Sequence, residues 1–262
     1  MNRLNAKVSG PDGAPAMVFA HGFGCDQNMW RLVAPSFDQD FRVVTFDYVG
    51  SGGSDHASYD PDTYSTLAGY AADVIDLIVD LGLGPVTFVG HSVSSMIGVV
   101  AAVDRPELFD RLVLVGPSAR YIDDGDYVGG FSAADIDELL DSMDSNYLGW
   151  SHAMAPVIMA NGEQPELAAE LDESFCRTDP AIARRFAEVT FRSDNRADLV
   201  KVSAPTLVLQ CRDDLIAPLS AGEYVRDHLP DATFVVLDAV GHCPHLSAPG
   251  PTTDAIGAFV RA

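Results

Sequence analysis

Six short apolar, β-branched runs punctuate this chain, each leading into a Gly- or Asp-rich turn. They fall at Ala16–Ala20, Arg42–Phe46, Val86–Val89, Leu112–Val115, Thr206–Gln210 and Thr233–Leu237. Runs this short and this uniformly apolar suit strands buried on both faces of a sheet. Between several of them the pattern turns helical: Leu67, Tyr70, Val74, Leu77, Ile78 and Leu81 recur at helical spacing, and Gly82 stands where a C-terminal cap belongs. Strands alternating with helices predict an α/β fold, a mostly parallel central sheet with helices on both faces.

The alternation stops after Gly116, and residues 117–200 read as helices with no strand among them. Ser132 with Asp135 three residues on resembles a capping box, and Ile136, Leu139, Leu140 and Met143 follow on one face. Trp150, Met154 and Ile158 stand four residues apart on a second helix. Pro165 and Pro180 sit where a first helical turn tolerates proline, opening two more, one with Leu167, Leu171 and Phe175, the other with Ile182 and Phe186. The expected organisation is therefore a discontinuous core, residues 1–116 and 201–262, with a four-helix insertion at 117–200. At 262 residues, 47% of them hydrophobic, the chain can bury one large core.

Charge narrows the partners. With 38 acidic against 16 basic residues, the formal charge of -22 repels phosphate backbones and anionic membrane surfaces, so neither nucleic acid nor membrane is expected. No apolar run approaches bilayer length and the N-terminal stretch lacks a signal-peptide pattern, which points to a cytoplasmic protein. Cys25, Cys176, Cys211 and Cys243 form no C-x-x-C pair and read as reduced, inert thiols. No metal is expected, since no H-E-x-x-H or comparable spacing occurs. The glycines of FDYVGSGGSD suggest a dinucleotide fingerprint, but Asp55 occupies the third glycine's place and no helical pattern opens after it, so a tight loop is expected and no cofactor.

In open parallel sheets reacting groups collect beyond the carboxyl ends of the strands. There, VTFVG is followed by His91 and Ser92, TLVLQCR by Asp213 and Asp214, and TFVVLDAVG by His242. Serine, acid and histidine in that order are a nucleophile, an orienting carboxylate and a general base. Ser92 needs a base to accept its proton, an imidazole can do so near neutral pH, and a carboxylate on the other ring nitrogen holds the useful tautomer. Asp213 and Asp214 compete for that place, with the following D-L-I-A-P run favouring Asp214. The oxyanion of a tetrahedral intermediate needs N–H donors, one from Val93 and one from the loop after the first long strand, at Phe23. The elbow reads G-H-S-V-S, so Ser94 replaces the last glycine of G-x-S-x-G. His21 and His245 are expected to be structural loop residues.

HGFGCDQNMW, VGHSVSSMIG, YVGGF, NYLGW, FCRTDPAIARRFAEVTFRSDNRADL, DLIAP and GHCPHLSAP together resemble the RsbQ-like α/β-hydrolases, a group that includes a bacterial stress-response regulator and plant strigolactone and karrikin receptors. The resemblance implies an α/β-hydrolase fold with a V-shaped four-helix cap over an apolar pocket. It implies Ser92, Asp214 and His242 as the triad, Phe23 and Val93 as oxyanion donors, and Phe131, Trp150, Met154, Ile158 and Phe191 as pocket lining. Two functions are compatible with it: a serine hydrolase acting on a small apolar ester or lactone, and a slow-turnover ligand receptor that engages a stress-response phosphatase. Carbon–carbon bond hydrolysis is a third, weaker reading. Haloalkane dehalogenation is disfavoured because it uses a carboxylate where this chain has Ser92.

Overall fold

The computed structural model describes residues 3–262. Strands Lys7–Ser9 (β1), Ala16–Ala20 (β2), Arg42–Phe46 (β3), Val86–His91 (β4), Phe109–Val115 (β5), Thr206–Asp213 (β6) and Ala232–Val240 (β7) form one sheet of order β1-β3-β2-β4-β5-β6-β7. All neighbours pair in parallel except β1, which is antiparallel to β3. This is the α/β-hydrolase fold. All six expected strands are present, four of them longer than the apolar runs that marked them. The unforeseen β1 has three exposed residues and carries no apolar signature. Because β3 and β4 pair on opposite sides of β2, the chain changes direction there, and a crevice opens beyond the carboxyl ends of β2 and β4.

Side-chain alternation divides the core into two layers. Val18, Phe88, Leu112, Leu114 and Val208 face helices Leu67–Asp80 (α1) and Val93–Asp104 (α2), where Tyr70, Val74, Ile78 and Ile97 meet them. Met17, Phe19, Val89, Val113, Val115, Leu207 and Leu209 point the other way, toward Trp30, Phe37 and, on helix Pro249–Val260, Ile256 and Val260. Helix α1 ends as its glycine foretells. Gly82 has φ +60, its N–H donates to Val79 and the Leu83 N–H donates to Ile78, each at 3.0 Å, closing the last carbonyls in a Schellman motif.

Between β5 and β6 lie helices Ala133–Ser145 (α3), Tyr147–Met159 (α4), Pro165–Arg177 (α5) and Pro180–Phe191 (α6), then a short one at Arg196–Leu199 (α7). The Ser132–Asp135 capping box forms in both directions, and Pro165 and Pro180 open their helices. A third apolar cluster fills the space beneath these helices, with Ile136, Leu140, Trp150, Leu171 and Phe191 meeting Cys25, Met29 and Tyr121. One expectation is corrected: residues 117–131 are not helical. They form a folded arm in which Asp123 Oδ1 accepts from the N–H groups of Gly129 and Gly130, and Ile122 bridges to Phe131. Among the described residues, no helix is long and apolar enough to cross a membrane.

Candidate active site

Ser92 occupies the turn from β4 into α2 with φ 57 and ψ -123, a conformation that costs a residue with a Cβ about 1–3 kcal/mol. Close packing holds it there. A Cβ on Gly90 would come within 2.5 Å of the Ser94 carbonyl oxygen, so only glycine lets the helix return this tightly over its strand. Ser94, in the place of the usual glycine, is itself used: its hydroxyl donates to the His21 carbonyl and accepts from Tyr48 at 2.9 Å. The departure from G-x-S-x-G thus ties the elbow to the loop after β2.

His242 follows β7, with Nδ1 2.7 Å from Asp214 Oδ2 and Nε2 2.8 Å from Ser92 Oγ. A carboxylate can only accept, so the proton lies on Nδ1, and bare Nε2 receives the serine hydroxyl. The other Asp214 oxygen accepts from Ile216 N–H at 2.8 Å and Ala217 N–H at 3.0 Å, which fixes the carboxylate. Asp213 takes no part. It is the last, exposed residue of β6, beyond a register shift after Cys211, whereas Asp214 leaves the strand and is buried. Tyr121, unforeseen from sequence, brings its hydroxyl 3.3 Å from Ser92 Oγ. Since the serine proton is committed to His242, Tyr121 is the donor, and burial raises its pKa and keeps it protonated.

Ser92 and His242 open onto an apolar cavity whose wall includes Phe23, Trp150, Met154, Ile158, Phe175 and Phe191. At about 30 Å³ it is far smaller than the roughly 300 Å³ and more of ordinary ligand sites, so a larger ligand requires the helices above it to part. Phe23 joins the two halves of the site: its ring lies 5.7–6.2 Å from those of Phe175, Phe186, Phe191 and Trp150. Phe131 does not line the cavity. Hydrogen bonds from its N–H to the Tyr121 carbonyl and from the Asp123 N–H to its own carbonyl hold it on the arm, behind Phe191. Phe175 lines the wall instead. The signal for it was Gly24, where a Cβ would stand 1.8 Å from the Phe175 ring.

The remaining histidines near the site are buried and neutral. His21 Nδ1–H donates to the Gly22 carbonyl and Nε2 accepts from the Tyr48 N–H, a structural role. His91 Nε2–H donates to the His242 carbonyl at 2.8 Å. His245 lies on a short helix, Pro244–Ser247, between the rings of Trp30 and His91, and burial pushes its pKa down to about 3.

Comparison with known proteins identifies the family. The chain is 39% identical over 250 residues to strigolactone esterase D14 of Arabidopsis thaliana, covering 95% of this chain and 93% of that one. It is 39% identical over 246 residues to the karrikin insensitive 2 receptor CA of Petunia hybrida, covering 94% and 91%. A solved hydrolase from Oleispira antarctica superposes with a TM-score of 0.96 at 40% identity, over 99% of this chain and 95% of that one. With the family's own sequence model matching residues 17–255, the chain belongs to the alpha/beta hydrolase family.

Proposed function

We propose that this protein is a serine hydrolase that cleaves a small apolar ester or lactone through an acyl-enzyme, and that it serves a signalling role of the RsbQ-like kind. The observation that carries the reading is the unbroken chain from Asp214 through His242 to Ser92, opening beneath an apolar cavity. Ser92 attacks the substrate carbonyl as its proton passes to His242 Nε2, and Asp214 stabilises the imidazolium that forms. The backbone N–H groups of Phe23 and Val93 receive the oxyanion; among the described residues neither donates elsewhere. His242 then gives its proton to the departing alkoxide. A water molecule, deprotonated by the same imidazole, attacks the acyl carbon and releases the acid.

In this reading residues 117–200 act as a cap that supplies the apolar wall, so substrate selection lies with Trp150, Met154, Ile158 and Phe191. Supporting a signalling role, relatives at 39% identity carry the names of a karrikin receptor and a strigolactone esterase. A stress-response phosphatase is the proposed protein partner, engaged by the cap surface when ligand is bound or turned over.

The direct test is nitrophenol release from short-chain nitrophenyl esters by the wild type and by Ser92→Ala, with intact-mass spectrometry for an acyl adduct. Activity and adduct that both vanish in the variant support the reading; a burst retained in Ser92→Ala overturns it. Fast acylation followed by slow release favours signalling over metabolic turnover.

A further inference from the structure

Behind the Ser92–His242–Asp214 chain lies a group that sequence spacing does not reveal. One ring nitrogen each of His91 and His245 and the Sγ of Cys243 lie within 4.8 Å of one another, and all three side chains are buried. Their hydrogen bonding is incomplete. His91 Nε2 must carry its proton, because it donates to the His242 carbonyl, which leaves Nδ1 as a bare lone pair in a ring kept neutral by burial. Among the described residues that nitrogen has no partner, and neither ring nitrogen of His245 has one. Buried polar nitrogens left without partners are costly, and three in contiguous rings are uncommon in a folded core. Gly22 keeps the space before His91 open, since a Cβ there would come within 2.6 Å of Nδ1.

A thiol and two imidazoles are the donors that soft or borderline cations select, while hard ions need oxygen. With a single thiolate, a divalent ion would leave a buried net positive charge, whereas a monovalent one gives a neutral site that low-dielectric surroundings tolerate. Metal–ligand bonds of about 2.0–2.3 Å place donors roughly 4.2 Å apart in linear coordination and roughly 3.7 Å apart in trigonal coordination, within small side-chain adjustments of the observed spread. Cys243 and His91 also line the substrate cavity, which provides an entry path.

The geometry points to a binding site for a soft monovalent cation of the Cu(I) class at His91, Cys243 and His245, through which the ion inhibits hydrolysis. Binding forms one metal–sulfur and up to two metal–nitrogen bonds and releases the thiol proton to solvent, with no change of oxidation state. Inhibition follows from connectivity. Cys243 is bonded to His242 through the chain, and His91 holds the His242 carbonyl, so an ion drawing the two together shifts the imidazole from Ser92. This consequence rests on His242 acting as the base; binding itself does not.

Cu(I), supplied anaerobically to the full-length protein against a competing bicinchoninate chelator, tests binding without reference to catalysis. One ion per chain is expected, with a mixed sulfur and nitrogen shell by X-ray absorption. Affinity should fall about a hundredfold or more in Cys243→Ser and measurably in His245→Gln, with Cys25→Ser and Cys176→Ser unchanged. Melting curves establish that each variant is folded, and should Cys243→Ser fail to fold, the affinity of His245→Gln decides between site and no site. An ion-free wild type, or binding that follows Cys25 or Cys176 instead, overturns the site. If the ion binds but ester hydrolysis continues at the same rate, the site stands and its inhibitory role does not.

Discussion

The backbone N–H of His242 donates to the carbonyl oxygen of Ile158 at 2.9 Å, so the loop bearing the proposed base hangs from the end of helix α4. Two neighbouring contacts strengthen the joint: Asn161 Nδ2 donates to the Val240 carbonyl at 3.0 Å, and Gly241 presses against the Met159 carbonyl. The same helix, α4, contributes Trp150, Met154 and Ile158 to the cavity, so cavity wall and imidazole-bearing loop are joined by direct hydrogen bonds.

Gly241 is the residue on which that joint depends. It has φ +88, and a Cβ would stand 1.9 Å from the Met159 oxygen. Gly241→Ala is expected to lower stability by about 1–3 kcal/mol through backbone strain and to cut ester hydrolysis roughly a hundredfold by displacing His242. Melting temperature and turnover measured together check this; a destabilised variant with wild-type turnover would separate α4 from the base.

Asp214→Asn should reduce turnover by about ten-thousandfold, because an amide at that position no longer favours the Nδ1–H tautomer. Asp213→Asn, at an exposed strand end, should change it little. Steady-state kinetics on the two variants distinguishes them; equal losses would overturn the choice of Asp214 over Asp213, and wild-type turnover in Asp214→Asn would remove Asp214 from the mechanism.

Tyr121→Phe deletes only the hydroxyl that donates to Ser92 Oγ. Loss of one buried hydrogen bond corresponds to about three- to tenfold in rate. The expected effect lies in kcat, with KM nearly constant, since the bond is made to the nucleophile and not to the apolar wall.

Acid sensitivity follows from the buried histidines. Burial lowers the pKa values of His21, His91 and His245, the last to about 3 from an ordinary 6.5. The unfolded chain takes up protons below pH 6.5 that the folded chain refuses, so stability falls as pH drops from about 6.5 toward 3. Each such histidine contributes about 1.4 kcal/mol per pH unit within its window. His245→Phe, which keeps a ring against Trp30, should flatten the dependence of melting temperature on pH between roughly 6 and 4. An unchanged slope would show that His245 protonates freely in the folded protein.

What the sequence determined by itself is what local pattern can specify. β2–β7 and helices α3–α6 were legible because burial on both faces, helical periodicity, Gly82, the Ser132–Asp135 box and the helix-opening prolines each act within a few residues. Ser92 and His242 were legible because each follows its strand directly, and the fold gathers strand ends at one edge of the sheet. Only tertiary structure decided the rest. The D-L-I-A-P run favoured Asp214 over Asp213, but the contact itself is made in space: Asp213 stays exposed at the end of β6, past a register shift, and Asp214 is buried beside His242. Tyr121 meets Ser92, Phe175 lines the cavity while Phe131 stays on the arm behind Phe191, and His91, Cys243 and His245 converge because segments remote in sequence are packed against one another. Such contacts depend on distances through space, and no spacing along the chain encodes them.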